Sequence, residues 1–247
     1  MSAVAEFHQV TKIFRSGLLG KQRHTALDNV TLQIPVGMVT GLLGPNRAGK
    51  TTLIKILLRL NSPTSGKVVR LGHDASYQNT LAQVGYVHEN QYFPKYLSAK
   101  ELLTYYGSLT YLPPMELKAK IPQLLNKVGL ADRADEQIRK FSKGMVQRLA
   151  IAQAIMNDPE LLVLDEPSEG LDISGKAVLR DVIQERKSLG KSVICVSHNM
   201  EEMSKVADFI VVLKNGRVIS QRHLTDKDRV PGALESQLQA HFQEVPA

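Results

Sequence analysis

The residues Gly44-Pro45-Asn46-Arg47-Ala48-Gly49-Lys50-Thr51 fit the pattern G-x-x-x-x-G-K-[ST], the P-loop. Its chemistry is phosphate binding. Successive backbone N–H groups of the turn, with the positive end of the helix that follows, surround phosphate oxygens. In that arrangement Lys50 reaches the β- and γ-phosphates and the Thr51 hydroxyl ligates Mg²⁺; Thr52, next along, joins the nucleotide-binding set. A chain of average composition shows this pattern by accident about once in a hundred. Here an apolar strand precedes it and a helical pattern follows, the context it needs.

A second group lies far along the chain. Leu161-Leu162-Val163-Leu164-Asp165-Glu166 is an apolar strand ending in two carboxylates. Neighbours on a strand face opposite ways, so the two can do different work. Asp165 suits the Mg²⁺ shell, and Glu166 suits a general base that polarises an attacking water. Alone, such a run equally marks the start of a helix or turn. Beside a P-loop it reads as the second half of a site for ATP and Mg²⁺.

The elements that must hold these residues alternate between short apolar strands and helical stretches, the signature of an α/β domain. Residues 38–43 read as a buried strand and 51–60 as a helix, stopped by Asn61-Ser62-Pro63. Residues 161–164 and 192–196 read as further strands. Residues 210–213 and 218–219 form a hairpin whose turn signal is Asn215-Gly216. Between about residues 90 and 157 the period turns helical, over 98–109, 114–128 and 142–156, and Ser98 with Glu101 reads as a capping box. The expected division is an ATP-binding core at 1–89 and 158–220, a helical subdomain at 90–157 and a C-terminal extension at 221–247, its function unreadable.

Bulk properties bound the rest. The chain has 247 residues, 43% hydrophobic and 22% charged, ordinary for a globular protein. No apolar run approaches the roughly 18 residues that span a bilayer. Glu6, His8, Lys12 and Arg15 interrupt the start of the chain, unlike a signal peptide. A cytoplasmic protein, without direct membrane insertion, is the expectation. The single cysteine, Cys195, reads as a buried strand thiol. The net charge of +7 is scattered and leaves the partner open.

Four ordered motifs carry a family resemblance. Leu164-Asp165-Glu166-Pro167-Ser168-Glu169-Gly170-Leu171-Asp172 resembles the Walker-B strand and D-loop of ABC ATPases. Phe141-Ser142-Lys143-Gly144-Met145-Val146-Gln147-Arg148 is similar to the ABC signature, and Ser197-His198 to the switch histidine. With the P-loop they span about residues 4 to 220. The resemblance implies a P-loop NTPase (RecA-like) α/β core with a small antiparallel β region and an inserted α-helical subdomain. It also implies head-to-tail pairing with a second copy or a homologous ATPase subunit. Ser142 and Gly144 would then bind the γ-phosphate of the partner's ATP. His198 would hydrogen-bond that phosphate and the attacking water, and Asp172 would couple the two sites. Phe14 matches the aromatic residue that stacks adenine, or else belongs to the core.

Several positions depart from the family pattern. Arg47 stands where glycine is usual, at a place that favours unusual backbone angles; strain on the loop and neutral drift are both open readings. Glu89 replaces the Q-loop glutamine that senses Mg²⁺ and water, a task a carboxylate can share. Lys143 and Met145 are similar to exporter-type signatures. Glu169 and Ile173 have no evident reason. Residues 14–26 are longer than in compact relatives, and Gly17 and Gly20 mark a hairpin extension that either is a surface loop or meets a partner or lipid headgroups.

The expected function is ATP hydrolysis that powers transport, in the export direction, through polytopic transmembrane permease subunits, with no nucleic-acid partner. Gln91, Tyr92, Phe93 and Tyr96 form either the groove that receives the permease or a local core. The alternative is a soluble ABC-type ATPase acting on nucleic acid, ribosomes or protein complexes. One P-loop and no sustained heptads weigh against it. A P-loop kinase or transferase has no use for the signature residues.

Overall fold

The computed structural model describes residues 3–16, 22–110 and 112–243. They pack as two compact units, residues 1–81 with 192–247 and residues 82–191. The Gly17 and Gly20 extension falls within 17–21, outside the described residues.

In the first unit, β1 (Ala3–Ser16) and β2 (Gln22–Pro35) form a long antiparallel pair. β2 alternates buried and exposed residues over its second half, the mark of a sheet with one solvated face. β3 (Val39–Leu43) is buried throughout, as a strand covered on both faces must be. It runs into the P-loop and α1 (Lys50–Leu57). β4 (Ser65–Arg70) joins β1, and the short β5 (His73–Asp74) joins β4, completing a four-stranded antiparallel sheet in the order β2-β1-β4-β5. Arg70 is wholly buried, and its guanidinium donates to the Leu57 carbonyl at the end of α1 and to Thr80 Oγ1, Ala75 O and Tyr77 O. A cation thus closes the negative end of the P-loop helix.

The second unit opens with β6 (Val84–Val87), followed by α2 (Ala99–Ser108), α3 (Pro114–Lys127) and α4 (Lys143–Ala154). The Ser98–Glu101 capping box is present, and Pro114 begins α3 where its missing N–H costs nothing. β7 (Leu161–Asp165) lies parallel to β6, and α5 (Ile173–Ser188) follows.

The chain returns to the first unit with β8 (Ser192–Ser197), α6 (Met200–Val206), β9 (Phe209–Lys214) and β10 (Arg217–His223). β3 lies between β8 and β9, parallel to both, and β10 turns back along β9. The hairpin turn has φ of 51° at Asn215 and 76° at Gly216, the primed geometry that its Asn-Gly pair signals. Cys195 is buried in β8. The C-terminal extension is anchored rather than loose. Arg229 donates to Ser204 O and Ala207 O at the end of α6, and Leu234 and Leu238 of α7 (Ala233–Gln243) are buried. No helix among the described residues is long and apolar enough to cross a membrane.

Candidate nucleotide site

The P-loop turns sharply between β3 and α1. Ala48 N–H donates to Pro45 O at 3.2 Å, and Arg47 and Gly49 take φ of 66° and 105°. A Cβ on Gly49 would stand 2.6 Å from Ala26 O, so only glycine lets β2 approach so closely. Lys50 is buried, and its Nζ donates to Gly44 O at 2.6 Å and Pro45 O at 3.2 Å, lying across the loop. Helix α1 starts with neither a side-chain cap nor an acidic residue. Ser98, Ser142, Asp172 and Asn199 each cap their helices by a side-chain hydrogen bond, and α3, which like α1 lacks such a cap, has Glu116 in its first turn, whereas α1 has only Gly49 before it and no acid in its first turn. Its first amides and positive end are therefore suited to an external anion, and the loop fits a nucleotide phosphate.

Two supports of this loop were invisible in the sequence. Gly216 N–H donates to Ala48 O at 3.0 Å, and its carbonyl accepts from Asp28 N–H at 2.9 Å. Arg217 then clamps the Asp28 carboxylate through Nε and Nη2 at 2.8 and 2.6 Å. The Asn-Gly signal marked the turn but not its role as a brace.

His198 follows directly on Ser197, whose partner across the parallel register is Leu43, the residue before Gly44. His198 and the P-loop thus leave adjacent strands at the same end. His198 is exposed, and Asn199 beside it caps α6 by accepting from Glu202 N–H. Phe14 is 38% exposed, so it is no core residue, and Lys12 Nζ lies 4.9 Å from the centre of its ring.

The second unit gathers the carboxylates in the same manner. Leu164 pairs with Val87 across the register, which brings Asp165 and Glu166 to the strand end from which Glu89 departs. Asp165 is 1% exposed. Glu166 holds a left-handed φ of 48°, an uncommon conformation for a residue with a side chain. Burial pushes the Tyr86 phenol up from its ordinary value, and the Asp165 and Glu89 charges add to the effect. Tyr86 is a site neighbour that sequence reading missed, since nothing marks one tyrosine of an apolar strand.

The signature begins α4. Ser142 Oγ accepts from Met145 N–H at 3.2 Å, leaving its own proton to donate elsewhere, with Gly144 in the first turn. Gln147 reaches Pro167 O, and Arg148 holds the Val128 and Gly129 carbonyls beyond α3. Asp172 caps α5; the Gly175 N–H and then the Ser174 hydroxyl hold its carboxyl below the usual carboxylate range. Of the proposed docking residues, Tyr92 and Tyr96 are 78% and 72% exposed. Phe93 is buried, its ring edge-on to Tyr106 at 6.1 Å, so it belongs to the local core.

A family model described as ABC transporter matches residues 27–169, spanning the P-loop, signature and Asp165-Glu166. The chain belongs to the ABC transporter family. An uncharacterized ABC transporter ATP-binding protein of Nostoc sp. is 40% identical over 87% of this ABC chain, which spans 65% of that protein's length. The Nod factor export ATP-binding protein I of Cupriavidus metallidurans is 33% identical over 90% of the chain, which spans 71% of its length. Among solved structures, the dimeric ATP-binding cassette MJ0796 bound to ADP and Pi superposes with a TM-score of 0.81. It has 25% identity and covers 90% of this chain and 99% of its own. The fold is that of an ABC cassette, a P-loop NTPase with an antiparallel β region and a helical portion.

Proposed function

We propose that this ABC chain binds and hydrolyses Mg-ATP as one of a pair of ATP-binding subunits and drives export through separate membrane-spanning subunits. The observation that carries the reading is the start of α1. Its amides carry no side-chain cap, its first turn holds no carboxylate, and Lys50 lies across the loop above it. That is a cradle for the phosphates of a nucleotide.

The chain's residues divide the work. Gly44 to Thr52 enclose the phosphates, Lys50 neutralises the β- and γ-oxygens, and Phe14 stacks the adenine. Thr51 and Asp165 are hard oxygen donors of the kind Mg²⁺ takes alongside phosphate oxygens, with Glu89 at the edge of that shell. Bound there, the ion neutralises charge on the β- and γ-oxygens. Glu166 orients and polarises the attacking water as general base, and His198 donates a hydrogen bond to the γ-phosphate. Ser142 and Gly144 offer the positive end of α4 to the partner's nucleotide, and Asp172 links the paired sites. On this reading 1–89 with 158–220 is the ATP-binding core, 90–157 the signature subdomain and 221–247 an extension.

Support for transport comes from the family and from the name of the Nod factor export relative. Support for pairing comes from the dimeric MJ0796 cassette. The exposed Tyr92 and Tyr96 supply aromatic docking surface for a permease at the cytoplasmic face of the membrane. The first test is purification of the tagged chain from detergent-solubilised membranes of its host. A polytopic protein recovered in near-equal amount supports the reading, whereas recovery only with ribosomes or nucleic acid overturns it. The second is Mg-ATP hydrolysis by that complex, abolished by Glu166→Gln with nucleotide binding retained.

A further inference from the structure

Two charges that depart from the family pattern meet each other. Lys143 Nζ donates to Glu169 Oε1 at 2.6 Å. Lys143 is the first residue of α4, where its positive charge faces the positive end of the helix, and the first turn of α4 holds no acidic residue to offset it. Glu169 supplies that anion from the turn after β7.

The contact extends beyond the ion pair. The stem of Lys143 lies over Gly170, where a Cβ would stand 2.8 Å from its Cδ and 2.9 Å from its Cγ. Gly170 O lies 2.8 Å from where a Cβ on Gly144 would be. Farther along α4, Gln147 Nε2 reaches Pro167 O at 3.4 Å. The turn from Glu166 to Asp172 is therefore held against the start of α4 at three successive places. It begins with a strained general base at φ 48° and ends in the cap of α5. Both charges are about half exposed, with side-chain exposures of 55% and 49%, so the pair contributes little to global stability and its effect is geometric.

We infer that Lys143 and Glu169 are positioning residues: a clasp that fixes the turn carrying Glu166 and Asp172 against the signature helix. Turnover depends on this clasp, and nucleotide binding at the P-loop does not. The inference rests on the proposed function, because it assigns the turn to hydrolysis and the start of α4 to the partner's nucleotide.

Charge reversal tests it in the full chain with the membrane subunits that copurify. Lys143→Glu and Glu169→Lys are each expected to lower kcat about fivefold, and the double reversal to restore it to within about twofold of the parent. The Kd for ADP, which lacks the γ-phosphate that the partner's signature helix would meet, stays within about twofold throughout, and melting temperatures within about 3 °C. A merely structural pair would move melting and binding together instead. Should a reversal prevent folding, Glu169→Gln, similar in shape and uncharged, is expected to lower kcat about two- to threefold at unchanged Kd. Parent-level kcat in the folded variants, or a folded double reversal no better than the worse single one, overturns the clasp alone. A parent complex that hydrolyses no Mg-ATP overturns the functional reading and the clasp with it.

Discussion

The Nζ of Lys50 donates to the carbonyl of Gly44 at 2.6 Å, across the whole width of the P-loop. The side chain is thereby held over the first turn of α1, whose amides no side chain caps. Position matters here as much as charge, because an ordered lysine loses little further freedom on meeting a phosphate. Lys50→Met keeps most of the apolar stem and removes the charge. ATP binding is expected to weaken about 10- to 100-fold, the scale of one or two charge-assisted hydrogen bonds. Titration calorimetry with the folded variant checks this, and a change under threefold would contradict it.

Arg47 realises the strain its replacement of glycine implied. Its φ of 66° lies in the left-handed region, which costs a residue with a side chain about 1–2 kcal/mol. Glycine removes that cost but loses about 0.5–1 kcal/mol through its freer unfolded chain. The balance favours Arg47→Gly by about 0.5–1 kcal/mol, a rise in Tm of about 1–4 °C by scanning calorimetry. Release of the loop is also expected to raise Mg-ATP turnover about twofold or more. A smaller rise assigns Arg47 to neutral drift.

Tyr86 is the opposite case, an oxygen buried where it has no protein partner. Among the described residues its hydroxyl meets no hydrogen-bonding group, although the Asp165 and Glu89 charges bear on it. An unsatisfied buried hydroxyl costs about 1–3 kcal/mol. Tyr86→Phe is accordingly expected to stabilise the chain by about 1 kcal/mol and to raise Tm by about 2–4 °C. A fall in Tm would show that water or a ligand bonds the phenol.

What was legible in the sequence was local. The P-loop, the Ser98–Glu101 capping box, Pro114 at the start of α3 and the Asn215-Gly216 turn each lie within a few residues, and each is present in the fold. The parallel core strands were legible because burial on both faces leaves a continuous apolar run, as in residues 39–43 and 161–164. Contacts set by tertiary packing were not. Asp28 and Arg217 lie 189 positions apart, and nothing local pairs them. Lys143 and Glu169 were two separate departures until folding placed them 2.6 Å apart. Phe93 was open to either reading, docking groove or local core, because an aromatic suits both environments, and only the fold shows its ring packed on Tyr106.

The C-terminal extension, polar and of unreadable function in sequence, holds a buried carboxylate, Asp228, paired with Arg222, and this pair sets an acid limit on stability. Asp228 is 1% exposed and accepts from Arg222 Nη2 and Nη1 at 2.6 and 2.8 Å, and from Thr225 N–H and Oγ1 at 2.7 and 2.8 Å. The Arg222 guanidinium holds its carboxyl well below the usual carboxylate range, against burial, with Thr225 adding to the effect. The folded value therefore lies below the unfolded value of about 3.9. A depressed carboxyl contributes stability that is fully present above the unfolded value and is lost as pH falls toward the folded one. Asp228→Asn is expected to cost about 2–3 kcal/mol at pH 7, a drop in Tm of about 5–10 °C. Below about pH 4 the parent begins to lose the same contribution, so the two melting curves draw together as pH falls further. A difference in Tm that holds constant from pH 7 to pH 3 would show that the carboxylate's charge is not what anchors the extension.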